Sequence, residues 1–168
     1  MANFKDSSKY NIHDDYYTRK DTYEAIKHLI PKDKIIWEFC LLNSNEQSKK
    51  YLQELGFNVV GDRTIDFFKH NLGEVLISNI PFSTAIKKKM LKRLVELDKP
   101  FIIIMNSLNL YTKYFKEIFE GKEIYFIYPS KKIHYDKYED NKIVKTKNKT
   151  SFYSIYVCYK VIDKNIWI

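Results

Sequence analysis

Glu74-Val75-Leu76-Ile77-Ser78-Asn79-Ile80-Pro81-Phe82 is the stretch on which the fold turns. Its first half is a short apolar run of the kind buried on both faces of a parallel sheet. Its second half closes that strand with Asn-x-Pro-aromatic, which brings an amide side chain, a backbone carbonyl and an aromatic ring to one place. In open α/β sheets, ligands bind beyond the carboxyl ends of the strands. An amide oxygen and a carbonyl can accept both hydrogens of an exocyclic amine while a ring stacks on the heterocycle carrying it. Asn79, Ile80, Pro81 and Phe82 are therefore candidates for the reacting centre. The plainer reading is a strand, a proline turn, and Asn79 capping the next helix.

Outward from this stretch, strand and helix patterns alternate. Upstream, 21–29 has helical spacing with Tyr23, Ile26 and Leu29 or Ile30 on one side, and 34–40 reads as an apolar strand. A turn over 41–45 leads to a helix over 46–55 with Tyr51, Leu52 and Leu55 inward, closed by Gly56. Residues 57–60 form a second strand, stopped by Gly61-Asp62. Downstream, 83–97 is a basic amphipathic helix with Ile86, Met90, Leu94 and Leu97 inward and Lys87, Lys88, Lys89, Lys92 and Arg93 outward. Then come a fully buried strand over 100–105, a helix over 110–119 closed by Gly121, and strands over 123–128 and 151–159. Residues 136–150 are charged and aperiodic and read as a mobile loop. The alternation predicts an α/β fold with one doubly wound, mainly parallel sheet. The last two strands, joined without a helix, predict an antiparallel C-terminal hairpin at one edge. Residues 1–15 read as a flexible arm and 16–168 as a single domain.

Formal charge is +8, which favours a polyanionic partner and equally serves solubility. Lys131, Lys132, Lys145 and Lys147 lie in late loops that can reach a substrate and are candidate phosphate contacts; the lysines of the 83–97 helix are weaker candidates and read first as a solvated face. Cys40 and Cys158 sit in apolar stretches without metal-ligand or redox spacing, which predicts buried, reduced thiols. The histidines show no zinc spacing. No run has membrane-spanning length and the first residues are polar rather than signal-like, so the expectation is an intracellular protein without a membrane partner.

From about residue 15 to 160, the order of features resembles the class I, Rossmann-like methyltransferases, and more narrowly the adenine-specific (N6) DNA methyltransferase-like proteins of phages and large DNA viruses. Asp15-Tyr16-Tyr17-Thr18-Arg19 is similar to that family's "YTP" segment, with Arg19 in place of proline. Trp37-Glu38-Phe39-Cys40 resembles the "WEPF" end of the first strand, and Ile65-Asp66-Phe67-Phe68 the acidic "DFF" motif. Ser78-Asn79-Ile80-Pro81-Phe82-Ser83 resembles "SNPPFS". Two departures stand out. Leu41-Leu42-Asn43-Ser44-Asn45 replaces the glycine-rich turn that lets backbone approach the cofactor. Ile80 replaces the first proline, which keeps the carbonyl but gives up a fixed φ.

The resemblance implies S-adenosylmethionine as cofactor, DNA as partner, and a host cytoplasm or nucleus as location if the protein is viral. It implies cofactor-binding roles for Tyr17, Thr18, Glu38, Phe39, Asn43, Asp62 and Asp66. From the residues alone, Glu38 is as readily an exposed strand-end carboxylate, Asp62 a turn residue and Asp66 a helix cap. Three functional readings stay open: adenine-N6 methyl transfer on DNA, the same transfer to RNA or a glutamine amide, and a catalytically inactive, basic nucleic-acid-binding or scaffold module.

Overall fold

Phe101, Ile103 and Met105 enter one hydrophobic core and Ile102 and Ile104 another, so this strand is buried on both faces and its sequence shows a run rather than an alternation. The computed structural model describes residues 16–41, 46–139, 142–144 and 150–168. The elements in chain order are β1 (Tyr17–Thr18), α1 (Lys20–Ile26), β2 (Ile35–Trp37), α2 (Gln47–Glu54), β3 (Asn58–Val60), β4 (Val75–Asn79), α3 (Thr84–Leu97) and β5 (Phe101–Asn106). A 3-10 turn (Ser107–Tyr111), α4 (Lys113–Ile118), β6 (Ile124–Tyr128), β7 (Tyr135–Glu139), β8 (Lys142–Val144), β9 (Ser154–Tyr159) and β10 (Ile166–Trp167) follow.

The central sheet has seven strands in the order β10-β6-β9-β5-β4-β2-β3. Every pairing in it is parallel except those of β9 with β5 and β6. Helices α1 and α2 cover one face through Tyr23, Ile26 and Leu52, and α3 and α4 cover the other through Met90, Leu91, Leu94 and Phe115. The fold is thus a doubly wound α/β sheet with an antiparallel β6–β9 pair. That pair is not simply added at the edge: β9 lies inside, between β5 and β6, and β10 extends the sheet beyond β6. Helix α3 ends at Asp98, which adopts left-handed backbone at φ 51. The Asp98 carboxylate accepts from Lys160 at 2.8 Å and the Tyr159 hydroxyl at 2.6 Å, which ties α3 to β9.

Two expectations change. Helix α3 keeps its expected apolar stripe, with Met90 and Leu94 buried and Ile86 and Leu97 packed against the core, but Leu91 and Lys87 are buried as well, so Lys87 is inward rather than outward. Its ammonium reaches the Asn109 Oδ1 at 3.0 Å, which gives the buried charge a polar partner. Of the aperiodic 136–150 stretch, the described residues 136–139 and 142–144 are strand rather than loop. Strand β7 pairs antiparallel with β1 and with β8 in a separate three-stranded sheet, order β1-β7-β8. The arm over 1–15, the turn over 42–45 with Asn43, and Lys145 and Lys147 lie outside the described residues.

Candidate functional site

Strands β2 and β4 are neighbours, but the chain leaves them in opposite directions: from β2 through α2 to β3, and from β4 through α3 to β5. This is a topological switch point, where diverging connections open a crevice at the strands' carboxyl ends. Glu38 follows the last residue of β2, and Asn79 is the last residue of β4. Backbone geometry holds the floor. Gly61, at φ +111, passes so close that a Cβ there would meet the Glu38 carbonyl oxygen at 2.4 Å.

Glu38 is 1% exposed. Its Oε1 accepts from the Ser78 hydroxyl and from the Cys40 amide at 3.0 Å. Burial raises its pKa to about 7, a rise that the hydrogen bonds from Ser78, Cys40 and Ser48 restrain. The wholly buried Tyr23 hydroxyl lies among Glu38, Thr18 and Ser48 without completing a hydrogen bond of its own, and burial pushes its pKa well up. A carboxyl poised near neutrality in a strand-end crevice can accept from a cation or amine, or stay protonated, at little cost either way.

Asn79 is the second polar group. Its Nδ2 donates to the Tyr16 carbonyl at 3.3 Å, a partner that can only accept, so the other amide atom is the oxygen. That Oδ1 is buried and has no hydrogen-bond partner. An orphaned buried acceptor costs about 1–3 kcal/mol, and a ligand donating to it would recover that cost.

Tyr16, Tyr17, Thr18, Tyr23, Glu38 and Asn79 share one cavity of about 40 Å³, completed by Cys40, Leu41 and the first turn of α2. Of the residues singled out from sequence, Tyr17, Thr18, Glu38 and Asn79 are thus brought together. Ile80 is buried in the core, and its amide donates to the Ile104 carbonyl at 3.4 Å. Pro81 is buried. Half-buried Phe82 packs against Tyr16, Tyr135 and Phe152, with ring centroids 5.3, 6.1 and 5.0 Å away.

The others lie apart from the cavity. Phe39 stacks on Phe67 at 4.3 Å in the core. Asp62 accepts from the Thr64 amide and hydroxyl, which lowers its pKa, and Asp66 accepts from the Phe68 amide at 2.9 Å; both carboxylates are taken up by local turns. Lys131 and Lys132 line a second cavity beside α1 and the end of β6. Sequence reasoning missed Tyr16, Tyr23, Ser48 and Ser78 as the polar shell of Glu38 and Asn79. The signal for Ser78 was its place in an apolar strand: a hydroxyl buried there needs an acceptor, and Glu38 is that acceptor.

The fold and site define an α/β protein with a polar crevice at a topological switch point. The chain matches no protein-family model, and no curated protein by sequence. Among solved structures it is similar to a proposed RNA methyltransferase from Pyrococcus horikoshii, at 13% identity over 85% of this chain and 81% of that one, with a TM-score of 0.48. At that distance the likeness assigns no residue and no substrate.

Proposed function

We propose that this chain is a methyltransferase-like protein that uses S-adenosylmethionine and acts on the exocyclic amine of adenine in DNA. The unsatisfied Asn79 Oδ1 at the carboxyl end of β4 carries this reading. Such an acceptor suits an amine hydrogen, and the Ile80 carbonyl next to it in the chain would take the other. Holding both hydrogens keeps the nitrogen lone pair directed at the donor. Those bonds strengthen as the nitrogen becomes positive, which is the condition for accelerating the reaction rather than merely binding its substrate. Phe82 would support the base from one side, with Tyr16 and Phe152 holding its ring.

The cofactor supplies an activated methyl group on a sulfonium. The donor set fits part of it: Glu38, Thr18 and Ser48 offer acceptors for amine and hydroxyl hydrogens around one cavity. Space fits less well, since the 40 Å³ cavity is far below the roughly 300 Å³ that a cofactor-sized ligand fills. With Asp62 and Asp66 bound into their own turns, that small volume favours a second reading, a module that kept the fold and binds nucleic acid without transferring a methyl group.

Calorimetry with S-adenosylmethionine separates the two. Binding with measurable heat is expected; silence at high cofactor concentration, with and without DNA, would leave the binding module. Asn79→Ala should keep cofactor affinity and lose at least about a hundredfold in transfer to an adenine-containing oligonucleotide. Equal turnover in that variant would remove Asn79 from the centre.

A further inference from the structure

From the crevice, aromatic contacts lead outward to a rim. Phe82 touches Phe152, Tyr153 follows it, and the Tyr153 carbonyl accepts from the Ser107 amide at 2.8 Å. This bond sets Tyr153 beside the 3-10 turn that continues β5, in line with the Asn106–Ser154 pairing. The register places the rim close to Asn79, which pairs with Ile104 two residues before Asn106. Three large side chains stand out here: Tyr153 is 65% exposed, Leu108 67% and Tyr111 79%. Lysines accompany them. The Lys132 ammonium lies 4.6 Å from the Tyr153 ring centroid and donates one of its three hydrogens to the Thr150 carbonyl, Lys88 lies 4.9 Å from the ring centroid of Tyr114 just beyond the turn, and Lys131 is exposed.

Exposed rings interleaved with lysines suit a polyanion whose bases are free to stack. In a duplex the bases already cover one another; in an unpaired strand each presents a face. The geometry points to Tyr111 and Tyr153 as a stacking platform that binds an unpaired strand of nucleic acid, its phosphates over Lys88, Lys131 and Lys132 and one base fed toward the Asn79 crevice. This rests on the reading of a nucleic-acid substrate, though not on methyl transfer. The platform also gives the target base a route into the crevice without extraction from a helix, which a duplex substrate would require.

The test is binding without cofactor, so it stands or falls separately from transfer. Fluorescence anisotropy would compare labelled single-stranded DNA, single-stranded RNA and the matching DNA duplex on the full chain. Single strands of at least one sugar type should bind roughly tenfold or more tighter than duplex. Tyr111→Ser and Tyr153→Ser should each weaken single-strand binding by roughly tenfold, and Tyr→Trp at either position should restore it. Because both side chains are mostly in solvent, thermal unfolding should hardly move, which confirms intact folding. Trp167, 76% exposed on the β10 edge, is the control. Equal affinity for duplex, unchanged binding in both serine variants, or an equal loss on Trp167→Ser would overturn the platform.

Discussion

With its carboxyl beneath the Ser78 hydroxyl and the Cys40 amide, Glu38 titrates near pH 7 in the folded chain, against about 4.3 when unfolded. Between those values the native state holds a proton that the unfolded state has lost. Stability from this group is therefore full below about pH 4 and declines as pH rises toward 7, by roughly 4 kcal/mol in all. Glu38→Gln keeps an oxygen for Ser78 and carries no charge. It should flatten that decline and unfold at higher temperature than the parent at pH 8, with the two proteins converging near pH 4.5. Parallel melting profiles across that range would show that the carboxyl is not poised as described. If Glu38 holds a cofactor amine, the stabilised variant should also bind S-adenosylmethionine more weakly, the usual exchange of function for stability at a strained site. Neither property was legible in Trp37-Glu38-Phe39. A carboxylate at a strand end is normally solvated, whereas this one is enclosed by Tyr23 of α1, Ser48 of α2 and Ser78 of β4, which only the folded sheet brings around it.

At the scale of elements, legibility followed apolar periodicity. Strands β4 and β5 were readable because each buries both faces, and Gly56, at φ +93, ends α2 as expected. Strand β7 was not, because Tyr135-Asp136-Lys137 contributes to a small separate sheet and carries no two-residue apolar pattern. Helix α3 misled for a related reason: hydropathy puts every lysine outside, whereas Lys87 spends its long stem on the core and its head on Asn109. The small sheet also gives Arg19 a structural role at the start of α1. The Arg19 Nε sits 2.7 Å from the Asp136 Oδ1, and its Nη2 donates to the Tyr135 carbonyl, pinning β1 and the start of α1 to β7. Proline would suit the backbone, since Arg19 has φ −79. It would nevertheless strand the buried Asp136 carboxylate. Arg19→Pro should therefore cost about 1–3 kcal/mol in denaturant melts rather than stabilise the chain. Adding Asp136→Ala should recover most of that loss. A neutral Arg19→Pro would mean that the ion pair contributes nothing to holding β1.

The whole molecule orients its charge as well as its sheet. The carboxyl end of the parallel strands carries the crevice, the aromatic rim and Lys88, Lys131, Lys132 and Lys137, the last 5.3 Å from the Tyr16 ring centroid. At the opposite end, several cations are spent on the fold itself: Lys99 donates to the Leu72 and Gly73 carbonyls, and Lys34 pairs with Glu74. The net +8 visible in composition thus says only that a polyanion is welcome; where it docks depends on which lysines the fold leaves available. Counterion release turns that into a number. If about four lysines neutralise phosphates of a single strand, the logarithm of affinity should fall with the logarithm of salt concentration at a slope near −2.8, about 0.7 per contact. Lys131→Gln should reduce that slope by about 0.7 and weaken all sequences alike. Lys32→Gln, exposed just ahead of β2 at the far end, should leave it unchanged. The tyrosine variants should lower affinity without altering the slope, since stacking releases no ions. Equal slope changes from Lys32 and Lys131 would mean that the strand wanders over an evenly charged surface, with no address at the switch-point end.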